Sequence, residues 1–334
     1  MVPTQLSPLH VSPDDLRPIV FVNPRAGRGR ARRYFTSVRE LFEYHSCRVD
    51  FLETKSRQEL EELAGRSIEH GRRTLIAMGG DGTVQGLVSA ALGSAVTIGI
   101  LPTGGGNDFA AALGFSSNPI RAAKSLLSGK PRLVDVARAR TADGYERIYV
   151  GGGGIGLDAE AARYAATHYG HWPGRVRYVA SALHALRGFA PLHLRAQLWK
   201  SSFEEMQSTI LVACVLNTPT YGGGLRLAPK ASVDDGLLDV TMLEYLRLPK
   251  ILSLLPRLVV SGEINTPGMQ RAQCSRVRLV PDRPCVFHGD GEIFGPAPVE
   301  IEVVPQAVSV LAPRRKESAA QTGFSSCPSR FSGQ

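Results

Sequence analysis

The sequence predicts two domains: an α/β domain with a layered, mostly parallel sheet, followed by a largely antiparallel β domain. The chain has 334 residues, which is enough for about two domains. From Pro18 to about Asp135, apolar strand-like runs alternate with helical patterns, as is typical of a parallel sheet covered by helices. After Asp135 strand-like runs dominate, which indicates a second domain built mainly from β-strands.

The first domain reads as four strands separated by helices. Each strand is a short apolar run bounded by turn-forming residues. The predicted strands are PIVFVNP (18–24), RVDFLET (48–54), TLIAM (74–78) and VTIGILP (96–102). Three helices are predicted between and after these strands. The first follows the basic loop RAGRGRARR (25–33) and extends to about Tyr44, the second covers RQELEELAGRSIEHG (57–71), and the third covers VQGLVSAAL (84–92). In the third helix, one face carries Val84, Leu87, Val88 and Ala91.

The second domain contains six strand-like runs and two longer helical patterns. The predicted strands are ERIYVGG (146–152), LHLRAQLW (192–199), STILVACVLN (208–217), GLLDVTMLEY (236–245), SRVRLVP (275–281) and VEIEVVP (299–305). The helical patterns cover roughly 174–189 and 248–262, and either could be a core helix or a lipid-facing one. Residues 1–16 are predicted to form a flexible arm, and residues 313–334 a disordered tail.

Composition excludes several classes of protein. Hydrophobic residues make up 43% and charged residues 21%, and no uninterrupted apolar run is long enough for a membrane span. The first residues lack the pattern of a signal peptide, and five scattered cysteines argue against a disulfide framework or a zinc site, so we expect a cytoplasmic protein. The net charge of +9 favours an anionic partner, although a general abundance of arginine would explain it equally well. The chain contains no basic–aromatic motif of a nucleic-acid-binding module, so we do not expect it to bind nucleic acid.

Two glycine-rich loops, GGDGT (79–83) and PTGGGND (102–108), follow predicted strands of the first domain. Ligands of open α/β sheets bind at the carboxyl ends of strands, and glycine lets backbone N–H groups approach phosphate oxygens. Thr83 could cap the following helix or donate to a phosphate, and Asn107 could cap the helix DFAAAL. Each loop alone would also fit an ordinary turn between a strand and a helix.

Standard nucleotide signatures do not explain these loops. The chain contains no GxxxxGK[ST] motif. A GxGxxG match occurs at Gly151, Gly153 and Gly156, but no acidic residue for a ribose follows at the required distance. A dinucleotide site is therefore not predicted.

Five sequence blocks occur together in a specific order and spacing. They are VFVNPRAG (20–27), GGDGT (79–83), ILPTGGGNDFAAALG (100–114), NTPTYGGGLRLAPKASVDDGLLDV (217–240) and HGDGE (288–292). Over about residues 18–312 this series resembles the diacylglycerol kinase catalytic family, above all its soluble bacterial lipid kinases. The resemblance implies an NAD kinase/phosphofructokinase-like fold, with an ATP-binding domain (17–135 plus about 295–312), a lipid-side β-sandwich (136–294) and an active site between them.

The resemblance also implies the residues of the Mg²⁺-ATP site. A carboxylate among phosphate-binding amides would be repulsive unless it organises Mg²⁺, which gives Asp81 a catalytic role. Glu292 corresponds to the general base that deprotonates the lipid hydroxyl. The implied nucleotide-side residues are Asn23, Thr54, Gly79, Gly80, Asp81, Gly82, Thr83, Gly104, Gly105, Asn107 and Asp108.

A second Mg²⁺ site is implied by the acidic turn SVDDGLLDV. In the family pattern, one aspartate and neighbouring backbone carbonyls bind a structural ion, which places Asp235 and the carbonyls of Ser232 and Leu237 around it. A solvated Asp-Asp-Gly turn is the alternative reading.

The chain departs from the family pattern at two positions. Gly86 replaces the glutamate of GGDGTxxE, and Gly105 replaces the threonine of PxGTxNDF. The loss of one hydroxyl contact would cost about 0.5–1.5 kcal/mol in nucleotide binding. These departures keep a weakly active or inactive lipid- or nucleotide-binding regulator open as an alternative.

We expect an ATP- and Mg²⁺-dependent lipid kinase that contacts the membrane peripherally and could form a homodimer. The acceptor could be diacylglycerol, monoacylglycerol, phosphatidylglycerol, a sphingoid base or an undecaprenol-like alcohol. A related kinase of a soluble substrate is a third hypothesis, against which the DGE and DDGLLD blocks argue.

Overall fold

The structure is a computed structural model, and it describes residues 17–157, 180–181, 183–186, 188–247, 249–251, 253–254, 261–262 and 266–314. The predicted flexible arm, nearly all of the predicted tail, and about half of the two predicted helices at 174–189 and 248–262 lie outside the described residues.

The described residues form five numbered helices and fifteen strands. The helices are α1 (Arg30–Tyr44), α2 (Arg57–Glu69), α3 (Asp81–Ala91), α4 (Asp108–Ala112) and α5 (Pro119–Leu127). The strands are β1 (Ile19–Val22), β2 (Asp50–Glu53), β3 (Thr74–Gly79), β4 (Thr97–Pro102), β5 (Lys130–Arg140), β6 (Glu146–Tyr149), β7 (Gly152–Gly156), β8 (Leu192–Trp199), β9 (Glu205–Leu216), β10 (Leu238–Glu244), β11 (Met269–Cys274), β12 (Arg276–Pro281), β13 (Val286–Gly289), β14 (Glu292–Pro296) and β15 (Val299–Ala312).

The first domain contains a parallel sheet in the order β2-β1-β3-β4. Strands β1, β3 and β4 are buried and rich in Val, Ile and Leu because helices cover them, whereas the edge strand β2 is only partly buried. The predicted apolar face of α3 is confirmed, since its four residues are all buried. The α2 helix begins where the hydroxyl of Ser56 accepts the N–H of Glu59 at 3.1 Å, so its first turn is capped by the sequence itself.

The second domain is built from antiparallel strands around a separate apolar core. Strand β15 joins the strands of both domains into one sheet. Its last part runs parallel to β4 and its first part antiparallel to β12, while β5 pairs antiparallel with it along most of its length. The predicted fold class, an α/β domain followed by a β domain, is confirmed.

Strands β5, β7, β11 and β14 are among the elements that were not predicted. Strand β5 carries several charged residues, and its sequence does not alternate cleanly between polar and apolar. Strand β7 has the sequence GGGIG, and glycine is disfavoured in strands. Strand β7 pairs with β13 on one side and with β9 on the other, so a run whose sequence is typical of a loop is part of the sheet beside the site.

Candidate functional site

The two glycine loops contact each other at the carboxyl ends of β3 and β4. The strands are neighbours in parallel register, with Gly79 opposite Pro102. The N–H groups of Thr103 and Gly104 both donate to the carbonyl oxygen of Gly79, at 2.8 and 3.2 Å. A Cβ on Gly104 would lie 2.4 Å from the Cα of Gly80, so only glycine permits this approach of the two backbones.

Helix α3 begins directly inside the first loop. Gly80 is its N-cap residue and Asp81 its first residue, so the free N–H groups of the first turn open toward the cleft described below. Thr83 lies in the first turn and does not cap the helix. Its hydroxyl instead accepts the side-chain N–H of Asn23 at 3.3 Å.

Asp81 is half-buried beside other carboxylates. Its Oδ2 accepts the backbone N–H of Asn107 at 2.7 Å, which joins the first loop to the second. Burial raises the pKa of Asp81 to about 7, and the charges of Asp108 and Asp290 raise it further in the same direction, while backbone donors oppose the shift. The site therefore holds an acid that ionises only near neutral pH.

Asn107 precedes α4, but its side chain does not cap that helix. The residue has a left-handed backbone (φ 60°), and its amide group bonds Gly104 twice: it accepts the N–H at 3.0 Å and donates to the carbonyl at 2.9 Å. The predicted cap is thus wrong. Asn107 closes the second loop into a small ring and presents its own N–H to Asp81.

Asp108 connects the second loop to the NTPTYGGG block. Its Oδ1 accepts the hydroxyl of Thr220 at 2.7 Å, and its Oδ2 accepts the N–H of Gly223 at 2.8 Å. The sequence assigned Asp108 to the phosphate–metal network. In the structure both carboxylate oxygens already bond the C-terminal half of the chain.

A cleft of about 540 Å³ opens in front of the loops. Of the predicted site residues, it is lined by Asn23, Thr54, Gly80, Gly82, Thr83, Gly104, Gly105 and Glu292. Gly79, Asp81, Asn107 and Asp108 belong to the same two loops but do not line the cleft. Several residues that line the cleft were not predicted: Arg25, Ala26, Gly27, Arg28, Lys55, Ser56, Arg57 and Leu60. The first four belong to the basic loop, whose charge is evident in the sequence.

The turn that carries Glu292 is fixed by Asp290. The carboxylate of Asp290 accepts three consecutive backbone N–H groups, from Val150, Gly151 and Gly152, at 2.8–3.2 Å. Burial raises the pKa of Asp290 to about 6 although these donors lower it. Asp290 and Gly291 have left-handed backbones, and Glu292 follows at the start of β14.

This arrangement explains the GxGxxG match. A Cβ on Gly151 would lie 2.9 Å from the Asp290 carboxylate, and one on Gly153 would lie 2.4 Å from the ring of Phe287. The glycines make room for Asp290 and its hairpin. Gly151 and Gly152 donate to a carboxylate of the protein itself.

Glu292 pairs with Arg57 from the other half of the chain. Arg57 is the first residue of α2, and its Nη1 donates to Glu292 Oε2 and also to Gln85 Oε1, the latter at 3.0 Å. The Nε of Arg57 donates to Glu61 at 2.7 Å. Burial lowers the pKa of Arg57, but Glu61 and Glu292 outweigh this effect and raise it overall.

Gly86 leaves space that neighbouring helix α2 fills. A Cβ at this position would lie 2.8 Å from Leu60 Cδ2 and 3.8 Å from Arg57 Cγ. A glutamate here would have to displace Leu60 and would project toward Arg57. The departure at Gly86 is therefore matched by close packing between α2 and α3.

The acidic turn at 232–237 lies away from the cleft. Asp234 is engaged by Arg132 and by the hydroxyl of Ser232, at 2.8 and 2.7 Å, whereas Asp235 accepts only the N–H of Leu237 among the bonds described, at 3.0 Å. Burial raises the pKa of Asp235, and the charges of Asp135 and Asp234 add to the shift.

Two further results concern the described residues only. Among them, no group of three or more His, Cys, Asp or Glu side chains is arranged to hold a metal ion. A search of the same residues finds no helix with the length and hydropathy needed to cross a membrane.

Two known domain families match consecutive parts of the chain. The diacylglycerol kinase catalytic domain matches residues 17–139, and the YegS C-terminal NAD kinase beta sandwich-like domain matches residues 153–312.

Individual proteins give the same result. A diacylglycerol kinase of Mycobacterium tuberculosis is 29% identical and covers 87% of this chain and 94% of its own. A diacylglycerol kinase of Bacillus subtilis is 25% identical and covers 89% and 96%. A crystal structure titled as a diacylglycerol kinase from Bacillus anthracis superposes with a TM-score of 0.66 at 18% identity, covering 89% and 96%, and so supports the fold.

Proposed function

Because the chain belongs to the diacylglycerol kinase family in its soluble bacterial, YegS-like form, we propose that it transfers the γ-phosphate of ATP to a hydroxyl of diacylglycerol or a similar lipid. One observation carries the proposal. The cleft that is lined by both glycine loops and the N-terminus of α3 is also lined by Glu292, a carboxylate from the opposite half of the chain. A phosphate-binding surface and a candidate base thus face the same space.

The nucleotide side of the cleft is suited to a triphosphate. Glycine backbones and the first turn of α3 offer N–H donors, and Arg25 and Arg28, which line the same cleft, add positive charge. Thr54 is buried at the end of β2 and lines the same cleft. Charge neutralisation and positioning supply most of the catalysis in phosphoryl transfer.

Glu292 is the candidate general base. Its side chain is 37% exposed, so a substrate hydroxyl can reach it, while the Asp290 hairpin fixes its backbone. A positioned carboxylate base contributes about 10²–10⁴-fold to a rate. Because Glu292 and the loops come from opposite halves of the chain, the complete site forms only when the chain is folded.

The residues around Asp81 fit a divalent cation. Asp81 is half-buried with Asp108 and Asp290 nearby, and a cation would favour its ionised form and offset the repulsion. Asp81 would hold Mg²⁺ together with the nucleotide phosphates, since too few protein carboxylates are free to hold it alone. When bound, Mg²⁺ neutralises charge on the transferred phosphate.

Asp235 fits a second, structural cation. Asp235 lies on an exposed turn near two other acids, and the carbonyl oxygens of Ser232 and Leu237 in the same turn are hard ligands of the kind that Mg²⁺ prefers. Asp234 is the less suitable ligand of the pair because Arg132 already neutralises it.

A lipid acceptor requires that the enzyme works at a membrane surface. The net charge of +9 would favour contact with anionic lipid, and we propose peripheral binding on this basis.

The test is transfer of radiolabelled γ-phosphate from ATP to a panel of lipids that includes diacylglycerol, monoacylglycerol, phosphatidylglycerol, a sphingoid base and undecaprenol. We expect one lipid to be phosphorylated and the Glu292→Gln variant to lose at least about 10²-fold in rate. If no lipid is labelled while ATP still binds, the kinase proposal is wrong.

A second candidate is a lipid- or nucleotide-binding regulator with little activity. Gly105, which lines the cleft without a side chain, favours it, as does Gly86. Tight binding of both ATP and lipid without transfer would support this alternative.

A further inference from the structure

Arg57 makes an unusual set of contacts for a residue in the first turn of a helix. A cation at this end of α2 is opposed by the helix dipole, by about 0.3–1 kcal/mol. Three acceptors nevertheless surround its guanidinium: Glu61 on the same helix, Gln85 on α3 and Glu292 on β14. Its side chain is only 29% exposed, so these contacts fix its orientation.

The contact with Gln85 is itself held rigidly. Gln85 is fully buried, and its amide N–H donates to the carbonyl oxygen of Ile148 at 2.7 Å. This bond assigns the amide oxygen of Gln85 to Arg57. The buried, neutral amide oxygen of Gln85 therefore fixes the position of the Arg57 guanidinium, and the guanidinium in turn fixes the position of the Glu292 carboxylate.

The Arg57–Glu292 pair also separates two clefts. Both residues line the nucleotide-side cleft of about 540 Å³, and both line a second cleft of about 840 Å³ whose wall includes Ser89, Leu92 and Arg147. A base for phosphoryl transfer has to lie at such a boundary, because the acceptor hydroxyl and the nucleotide approach the transferred phosphate from opposite sides.

We propose that Arg57 is a positioning residue for Glu292: with Gln85 behind it, it holds the carboxylate at the boundary between the two clefts. This inference rests on the proposed kinase function. The bond from Arg57 restrains Oε2 of Glu292, and a general base depends on such a fixed geometry. Arg57 is thus expected to act on the rate of transfer through Glu292.

The experiment measures kcat and the KM for ATP with the lipid that the panel identifies. Arg57→Met is expected to lower kcat by about 10²-fold, as small displacements of a catalytic group do, and to change KM much less. Arg57→Lys keeps the charge but not the planar fork, so it should recover part of the loss. The matched control is Arg39→Met, which removes a surface arginine from the ion pair with Glu43 on α1 and should leave kcat within about twofold.

The decisive comparison uses the double variant Arg57→Met/Glu292→Gln. If Arg57 acts through Glu292, its substitution should cause no further loss of kcat once the carboxylate is absent. A further loss close to that in the wild-type background would assign Arg57 to phosphate binding or to the fold and overturn the inference. Circular dichroism and urea unfolding of each variant show whether a lost rate reflects a lost fold.

The two proposals fail differently. Full kcat in Arg57→Met with an active wild-type enzyme refutes the role of Arg57 and leaves the kinase function standing. A wild-type chain that phosphorylates no lipid refutes the kinase function, and the role of Arg57 with it.

Discussion

The charge of Asp81 is expected to destabilise the ligand-free protein. Its pKa lies near 7 in the fold and at the ordinary value of 3.8 in an unfolded chain. Between these values the folded state binds more protons, so the free energy of unfolding falls as pH rises from about 4 to 7. Above pH 7 the full cost is present: about three pKa units, on the order of 4 kcal/mol.

The Asp81→Asn variant tests this reasoning. Asparagine removes the charge and keeps an oxygen that can accept the N–H of Asn107. Without Mg²⁺ and nucleotide, we expect the variant to be more stable than the wild type at pH 8, by up to about 4 kcal/mol, and nearly equal to it at pH 4. Kinase activity should be lost at every pH.

The assay is urea unfolding in EDTA at pH 4, 6 and 8, with both proteins followed by circular dichroism. Glu69→Gln, an exposed acid at the end of α2, is the control for net charge and should change stability by less than about 0.5 kcal/mol. The reasoning is refuted if Asp81→Asn is no more stable than the wild type at pH 8, or if its gain is the same at pH 4.

Three other outcomes are expected. Gly27→Ala should cost more than about 2 kcal/mol in urea unfolding, because its φ is +55° and the new Cβ would lie 1.9 Å from the carbonyl oxygen of Thr103; Gly29→Ala (φ +77°, nothing within 4 Å) should cost only about 1–2 kcal/mol, and equal losses would contradict the steric account. Gly105→Thr should tighten ATP binding about threefold to tenfold by calorimetry, and an unchanged affinity would show that a side chain at this position does not reach the nucleotide. Mg²⁺ should raise the thermal midpoint of the wild type more than that of Asp235→Asn, and equal shifts would remove Asp235 from the list of ligands.

The sequence was sufficient for the fold class and the family because both depend on local signals. The apolar runs of β1, β3 and β4 are buried as strands of a covered parallel sheet, and their length and composition show this without tertiary information. The glycine loops follow the same strands, so their position at one edge of the sheet was predictable. Strand β7 was missed because its glycines serve contacts with Asp290 and Phe287, which are distant in the sequence.

The assignment of individual side chains needed the tertiary structure. Asn107 is a suitable capping residue by type, but its left-handed backbone turns the side chain onto Gly104. The burial that moves the pKa of Asp81 comes from two loops in contact, and no local pattern reports it.

By itself, then, the sequence determined the two-domain architecture, the family and the loops that face the cleft, since periodicity, glycine placement and block order are written along the chain. Only the tertiary structure decided that Arg57 contacts Glu292 across 235 residues of sequence. It also decided that Asp290 secures the hairpin and that α2 fills the space beside Gly86. These contacts depend on distances and burial between residues far apart in the chain, which spacing along a sequence does not encode.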